Sequence, residues 1–186
     1  MKPLISLLAL LGLVGCSSVD DTAVSTLACG DFKTFAPVSD VLERRCGTID
    51  CHGSFSRPLR LYGPYGQRRL EDAGAVGQEG GITTTFDKYY PGGAAAEPTT
   101  QREILDNYRS VCGLEPELMT RVIGLQASPE ELTLLRKARL AEKHKGGKIF
   151  NPGRQGDLCL TSWLTQANNA DAGIDTLACA EEINHP

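Results

Sequence analysis

The chain is predicted to fold as a mainly α domain with a long irregular Gly-rich middle segment, and three observations carry that prediction. Capping signals precede apolar stripes at helical spacing, notably at Thr100-Gln101-Arg102-Glu103 and Ser128-Pro129-Glu130-Glu131. No stretch shows the two-residue alternation of a half-buried strand. Residues 70–99 are rich in Gly, Ala, Thr and Pro, with runs such as GAVGQEGG and AAAEPTT. Four or five short helices around a single core are therefore expected, in a chain whose composition is ordinary for a globular protein.

The first fifteen residues carry one positive charge, Lys2, and then the apolar run LISLLALLGLVG. That suits a secretory signal and is too short for a spanning helix. The run ends in Leu13-Val14-Gly15-Cys16, which resembles the lipobox of bacterial lipoproteins. The resemblance implies that Cys16 is acylated and becomes the mature N-terminus, with Ser17 matching the outer-membrane sorting pattern. Residues 1–15 are thus expected to be a signal peptide, 16–30 a lipidated tether and 31–186 the folded domain. The protein would face the periplasm from the cell envelope, held to a membrane by lipid chains that contribute about 0.8 kcal/mol per buried methylene. A net charge of −4 argues against nucleic acid or an anionic membrane surface as a partner, and no basic run in the sequence contradicts that.

The domain opens with Phe35, Val38, Val41 and Leu42 at spacings of three and four, an amphipathic helix leading through Glu43, Arg44 and Arg45 to Cys46. Next comes Cys46 to Gly53, CGTIDCHG, with two thiols, an imidazole directly after the second, and a glycine. In this order each thiol can add to a haem vinyl group while the adjacent imidazole ligates the iron, and the glycine admits a close backbone approach. The stretch resembles the haem-attachment motif of c-type cytochrome domains in predicted lipoproteins of Gram-negative bacteria, with a spacer of four residues where two are usual. The resemblance implies one covalent haem c on Cys46 and Cys51, His52 as an axial ligand, and electron transfer to a redox partner protein that the sequence does not identify. Two other readings stay open. Cys46 and Cys51 can close a small disulfide loop beside a bystander His52, whereas a zinc site lacks the second close Cys or His pair that tetrahedral zinc needs.

Beyond the motif, Leu59-Arg60-Leu61 resembles the Leu-Arg-Leu stretch that follows attachment in such domains. It implies Leu59 and Leu61 facing the haem and Arg60 either pairing with a propionate or solvated. Tyr62 and Tyr65 have the same two possibilities. In the Gly-rich middle, Phe86, Tyr89 and Tyr90 suggest a flap over an apolar surface.

The capping box at Thr100 starts a helix with the stripe Ile104, Leu105, Tyr108 and Val111, ending at Cys112-Gly113. Glu115-Pro116 starts a shorter one bearing Met119, Val122 and Ile123. Ser128-Pro129-Glu130-Glu131 starts a third, with Leu132, Leu135 and Ala138 inward, and Asp157 is expected to cap a fourth that packs Leu158, Leu160, Trp163 or Leu164.

Three side chains are candidates for the second axial position: His144, Met119 and His185. His144 is favoured because it follows a capped helix and precedes Gly146 and Gly147; that segment also resembles the His-Gly-Gly-Gly element of related haem domains, with Lys145 in place of the first glycine. Met119 lies in an apolar pattern that core packing already explains, and His185 lies in a polar tail.

Seven cysteines are present. Setting aside Cys16 and the Cys46–Cys51 pair leaves four, which allow three connectivities. Cys29 with Cys179 and Cys112 with Cys159 are expected, since domain termini often lie close together. No catalytic residue is assigned, and an electron carrier fits better than a catalyst. The other class of protein compatible with these residues is a haem-free, disulfide-braced surface lipoprotein that binds through its Gly-rich middle, and a redox enzyme with an open iron site is a third.

Overall fold

The structure, a computed structural model, describes residues 26–69, 98–166 and 173–184. The signal segment, Cys16, the suggested flap with Phe86, Tyr89 and Tyr90, and His185 lie outside the described residues. Among those described the architecture is mainly helical: α1 (Ala36–Cys46), α2 (Gln101–Cys112), α3 (Pro116–Ile123), α4 (Thr133–Ala138), α5 (Gln155–Gln166) and α6 (Thr176–Asn184). The one departure from helix and loop is an isolated bridge between Tyr62 and Gln67. None of the described helices is long and apolar enough to cross a membrane.

Helix α1 forms where the apolar stripe was expected, burying Val38, Val41 and Leu42, with a proline in its first turn and Arg44 and Arg45 in its last. The proline fits the first turn, where its missing N–H costs nothing, and the two arginines complement the negative C-terminal end of the dipole. The α2 capping box is formed as predicted: Thr100 Oγ1 accepts from Glu103 N at 3.2 Å, and Glu103 Oε2 accepts from Thr100 N at 3.0 Å. Glu103 has a second task that the capping pattern did not reveal, because its fully buried carboxylate holds Arg68 in a two-pronged pair at 2.7 and 2.9 Å.

The helix expected after Ser128 is shorter than its start signal suggests. Pro129–Glu131 forms a 3-10 turn, and α4 begins only at Thr133. The reason is an external cap: the Glu115 carboxylate accepts from Thr133 N at 2.6 Å and from Thr133 Oγ1 at 2.8 Å, fixing the helix start one turn later. Asp157 is likewise not a cap residue. It lies inside the first turn of α5, accepts from Gly153 N at 2.8 Å, and pairs with Arg139 at 2.6 and 3.0 Å. Leu158 points outward at 39% exposure while Leu160, Trp163 and Leu164 are buried.

Helices α5 and α6 run antiparallel, since Gly156 N bonds Glu182 and Asp175 N bonds Ser162 Oγ. This hairpin brings Cys159 to Cys179, and they form a disulfide; the other joins Cys29 to Cys112. The expected pairing is therefore corrected. Local helix packing, rather than proximity of the domain's ends, sets the partners of Cys159 and Cys179. Cys29 is held against the other side of the domain by Ala28 N to Thr120 Oγ1 at 2.8 Å.

The core is centred on Phe35, Leu42, Leu135, Leu160, Trp163 and Leu164, all at 1% exposure or less. Phe35 and Trp163 lie 5.0 Å apart between ring centres, and Tyr108 stands edge-on to Phe35 at 5.4 Å. Each such pair adds about 0.5–1.5 kcal/mol beyond the area it buries. The polar ends are satisfied too: Trp163 Nε1 donates to Asp31 O at 3.0 Å and Tyr108 Oη to Gly30 O at 2.9 Å. Gly30 is required at that place, because a Cβ there would lie 2.5 Å from the Trp163 ring.

Candidate functional site

Helix α1 delivers Cys46 to the edge of the core, where Gly47 N caps the helix on Glu43 O at 2.8 Å. The chain then folds back on itself. His52 N donates to Cys46 O at 2.9 Å, Cys51 N and Gly53 N both donate to Thr48 O at 2.9 Å, and Leu61 N donates to His52 O at 2.8 Å. A Cβ on Gly53 would sit 2.0 Å from Gly47 O and 2.9 Å from Gly66 Cα. The close approach that this glycine permits includes one between two loop segments.

His52 and His144 face one another with ring centres 6.1 Å apart and ring planes 20° from parallel. Each is anchored in the same way: His52 Nδ1 lies 3.0 Å from Leu59 O, and His144 Nδ1 lies 3.0 Å from Gly147 O. A carbonyl can only accept, so both Nδ1 atoms carry the proton and both Nε2 lone pairs are left available. The second anchor depends on a tight turn, with Gly147 N donating to His144 O at 3.1 Å and Gly147 at φ +73°. Burial, reinforced by the neighbouring His144 and by the Arg57 charge, holds the His52 imidazole below its ordinary pKa against the opposing Leu59 hydrogen bond. It is therefore neutral at pH 7, the form that ligates a metal.

Both imidazoles border an apolar cavity of about 180 Å³, walled by Cys46, Leu59, Leu134, Ile149 and Phe150 among others. Cys46 and Cys51 are both free thiols. Burial, with the nearby Cys51 adding to it and Arg45 opposing, pushes the Cys46 thiol up to about 12. Among the described residues no three His, Cys, Asp or Glu side chains converge as a metal cage; the potential ligands that border this cavity are His52, His144 and the Cys46 thiol.

The other sequence candidates fall elsewhere. Leu59 reaches the cavity, but Leu61 is buried in the main core. Arg60, for which a haem propionate contact and solvent were both open, does not border this cavity; its Nε donates to Arg57 O at 3.4 Å and it borders a separate open groove with Tyr62. The alternation of Leu59, Arg60 and Leu61 turns the arginine away from its neighbours' side, which is the physical reason. Tyr65 lies 5.3 Å beneath the Arg44 guanidinium. Met119 is 1% exposed in the core and does not border the cavity, so its packing role accounts for it.

Two features had no sequence signal beyond their residue types. Phe150, 2% exposed, closes the cavity floor from a segment without helical period. Glu43, read as part of a polar run, is 2% exposed inside a network with Ser39, Thr99 and Asn107. Its i,i+4 spacing from Ser39 was the only hint. No protein-family model, curated protein or solved structure matches the chain.

Proposed function

We propose that this protein is a lipid-anchored c-type cytochrome that carries electrons in the cell envelope. One haem c is held through Cys46 and Cys51, with His52 and His144 as axial ligands. The observation that carries the reading is the imidazole pair. Two ligand rings bound through facing nitrogens lie roughly 6 Å apart between centres, because each metal–nitrogen bond is about 2 Å and half a ring on each side makes up the rest. The ring centres here are 6.1 Å apart with their planes 20° from parallel, a separation of that order, and a backbone carbonyl fixes each ring in the tautomer that leaves Nε2 unprotonated. The donor set fits a tetrapyrrole iron in particular: two imidazoles with, among the described residues, no third His, Cys, Asp or Glu converging on them, beside two thiols left free while the other four described cysteines are paired.

Bound there, the haem would supply one-electron redox chemistry. The chain's own part is to hold and insulate it. Leu59 O and Gly147 O orient the two rings, and Leu134, Ile149 and Phe150 keep water from the wall they form. A c-like helical fold, the Cys16 anchor, the periplasmic outer-membrane location and an unidentified redox partner belong to the same proposal.

The cavity's volume favours a second reading, a haem-free disulfide-braced surface lipoprotein. About 180 Å³ is below the roughly 300–1,000 Å³ usual for sites that enclose a small organic ligand. The two disulfides serve either protein equally. Expression in a host with cytochrome maturation, followed by a haem stain of the denatured chain and a visible spectrum, separates the two. Haem that stays on the denatured chain is expected. A chain with no haem mass and with Cys46 linked to Cys51 refutes the cytochrome reading.

A further inference from the structure

Four arginines that are far apart in sequence, Arg60, Arg69, Arg102 and Arg109, border one open groove of about 500 Å³ between the 58–62 segment and α2. Three of them share a single carboxylate. Asp106 lies 3.0 Å from Arg69 Nε, 3.7 Å from Arg102 Nε and 3.4 Å from Arg109 Nη1. Arg60 brings a fourth guanidinium and, among the described residues, forms no ion pair. The groove therefore concentrates positive charge in a chain whose net charge is −4. No run of basic residues announces it, because the fold alone assembles it.

The groove is also rigid. Arg60 N donates to Ser110 Oγ at 2.7 Å, Tyr62 N donates to Asn107 Oδ1 at 2.7 Å, and Asn107 Nδ2 donates back to Tyr62 O at 2.8 Å. These bonds clamp the 60–62 segment along α2, so the guanidiniums surround a concavity instead of spreading over a convex face. Arg69 is further fixed by lying 5.6 Å above the Tyr62 ring. Planar donor forks held around a hollow suit an oxyanion with several acceptor oxygens, and Arg60, outside the Asp106 cluster, together with the exposed Arg102 and Arg109 leaves donors for it.

We propose that this groove binds a free, compact polyanion of the phosphate or polycarboxylate class, with Arg60, Arg102 and Arg109 donating to it. The site rests on these residues alone and is independent of whether the chain carries haem. Its test is titration calorimetry of the full-length protein at low ionic strength with inorganic pyrophosphate and with citrate. Saturable one-to-one binding of at least one anion is expected. Arg102→Gln and Arg109→Gln should each weaken it about tenfold, the effect of losing one exposed charge-assisted contact. Their side chains are 51% and 62% exposed, so both variants should fold. Arg121→Gln, exposed on α3, should leave the affinity unchanged. Absence of saturable binding, or equal weakening by Arg121→Gln, overturns the proposal. Binding to phosphatidylglycerol vesicles without binding of either soluble anion also overturns it, because the ligand would then be a lipid headgroup.

Discussion

Glu43 makes the stability of this fold depend on pH in a direction opposite to that of most carboxylates. Its Oε1 accepts from Ser39 Oγ at 2.7 Å and from Asn107 Nδ2 at 3.0 Å, and its Oε2 accepts from Thr99 Oγ1 at 2.5 Å. No cation pairs with it among the described residues. Burial raises its carboxyl from the ordinary 4.5 to about 7; the Thr99 and Ser39 hydrogen bonds oppose the rise, and the charges of Asp40 and Glu103 add to it. Below pH 4.5 the group is protonated in both folded and unfolded chains and costs nothing. As pH rises from 4.5 to about 7 the unfolded chain releases this proton while the folded one retains it, so stability falls, and above about 7 the loss is complete. The gap corresponds to about 3 kcal/mol. Glu43→Gln keeps the shape and stays neutral at every pH. Urea unfolding with disulfides intact should therefore show the stability of the variant relative to wild type growing by about 3 kcal/mol between pH 4.5 and pH 8. A relative stability that changes by less than about 1 kcal/mol, or in the opposite direction, would mean that Glu43 is ionised in the folded protein and would refute the reasoning.

Four further outcomes are expected. In haem-loaded protein, His144→Ala should abolish the low-spin spectrum. Met119→Ala should leave that spectrum intact and cost about 2–5 kcal/mol of stability through a core cavity; loss of the signal in the Met119 variant alone would overturn the ligand assignment. Gly30→Ala should destabilise by about 1–3 kcal/mol in thermal melts, since its methyl group meets the buried Trp163 ring. Removing Cys29–Cys112 should cost more than removing Cys159–Cys179, with upper limits of about 4.5 and about 3 kcal/mol, because they close loops of 83 and 20 residues; equal denaturation midpoints would count against this. Cys16→Ser should release or misprocess the protein in membrane fractionation, and a variant that is cleaved normally and stays membrane-bound would point to another anchor.

What was legible in the sequence was local. The α1 stripe, the Thr100 capping box and the tight turn after His144 depend on neighbours within a few residues, and each is formed where its pattern stands. What was not legible depended on partners distant along the chain. The start of α4 is fixed by Glu115, which no spacing rule connects to Thr133. The disulfide partners follow from the α5–α6 hairpin. Glu43 looked like one more surface charge because its burial comes from Thr99 and Asn107 on other segments. In the candidate site the same division holds. Cys46, Cys51 and His52 could be read from one short motif, whereas Phe150 and the arginine groove exist only once the chain has closed.

That division bears on the order of events under the proposed function. The thiolate is the reactive form of cysteine, and a Cys46 thiol pushed up to about 12 in the packed domain is inert. Burial thus disfavours the thiolate that a bond at Cys46, whether to a haem vinyl group or to Cys51, needs, which favours forming it before α1 settles against the core. The loop is built for that sequence of events. The hydrogen bonds that close the loop from Cys46 to Gly53 lie within it, while Leu59 and Leu61, a few residues on, fix the His52 ring and carbonyl. In the other half of the site, His144, Leu134, Ile149 and Phe150 all come from later in the chain. Under that proposal His52 is placed by contacts within residues 46–61 and His144 by closure of the later chain. A ligand pair divided in this way ties capture of the ion to completion of the fold.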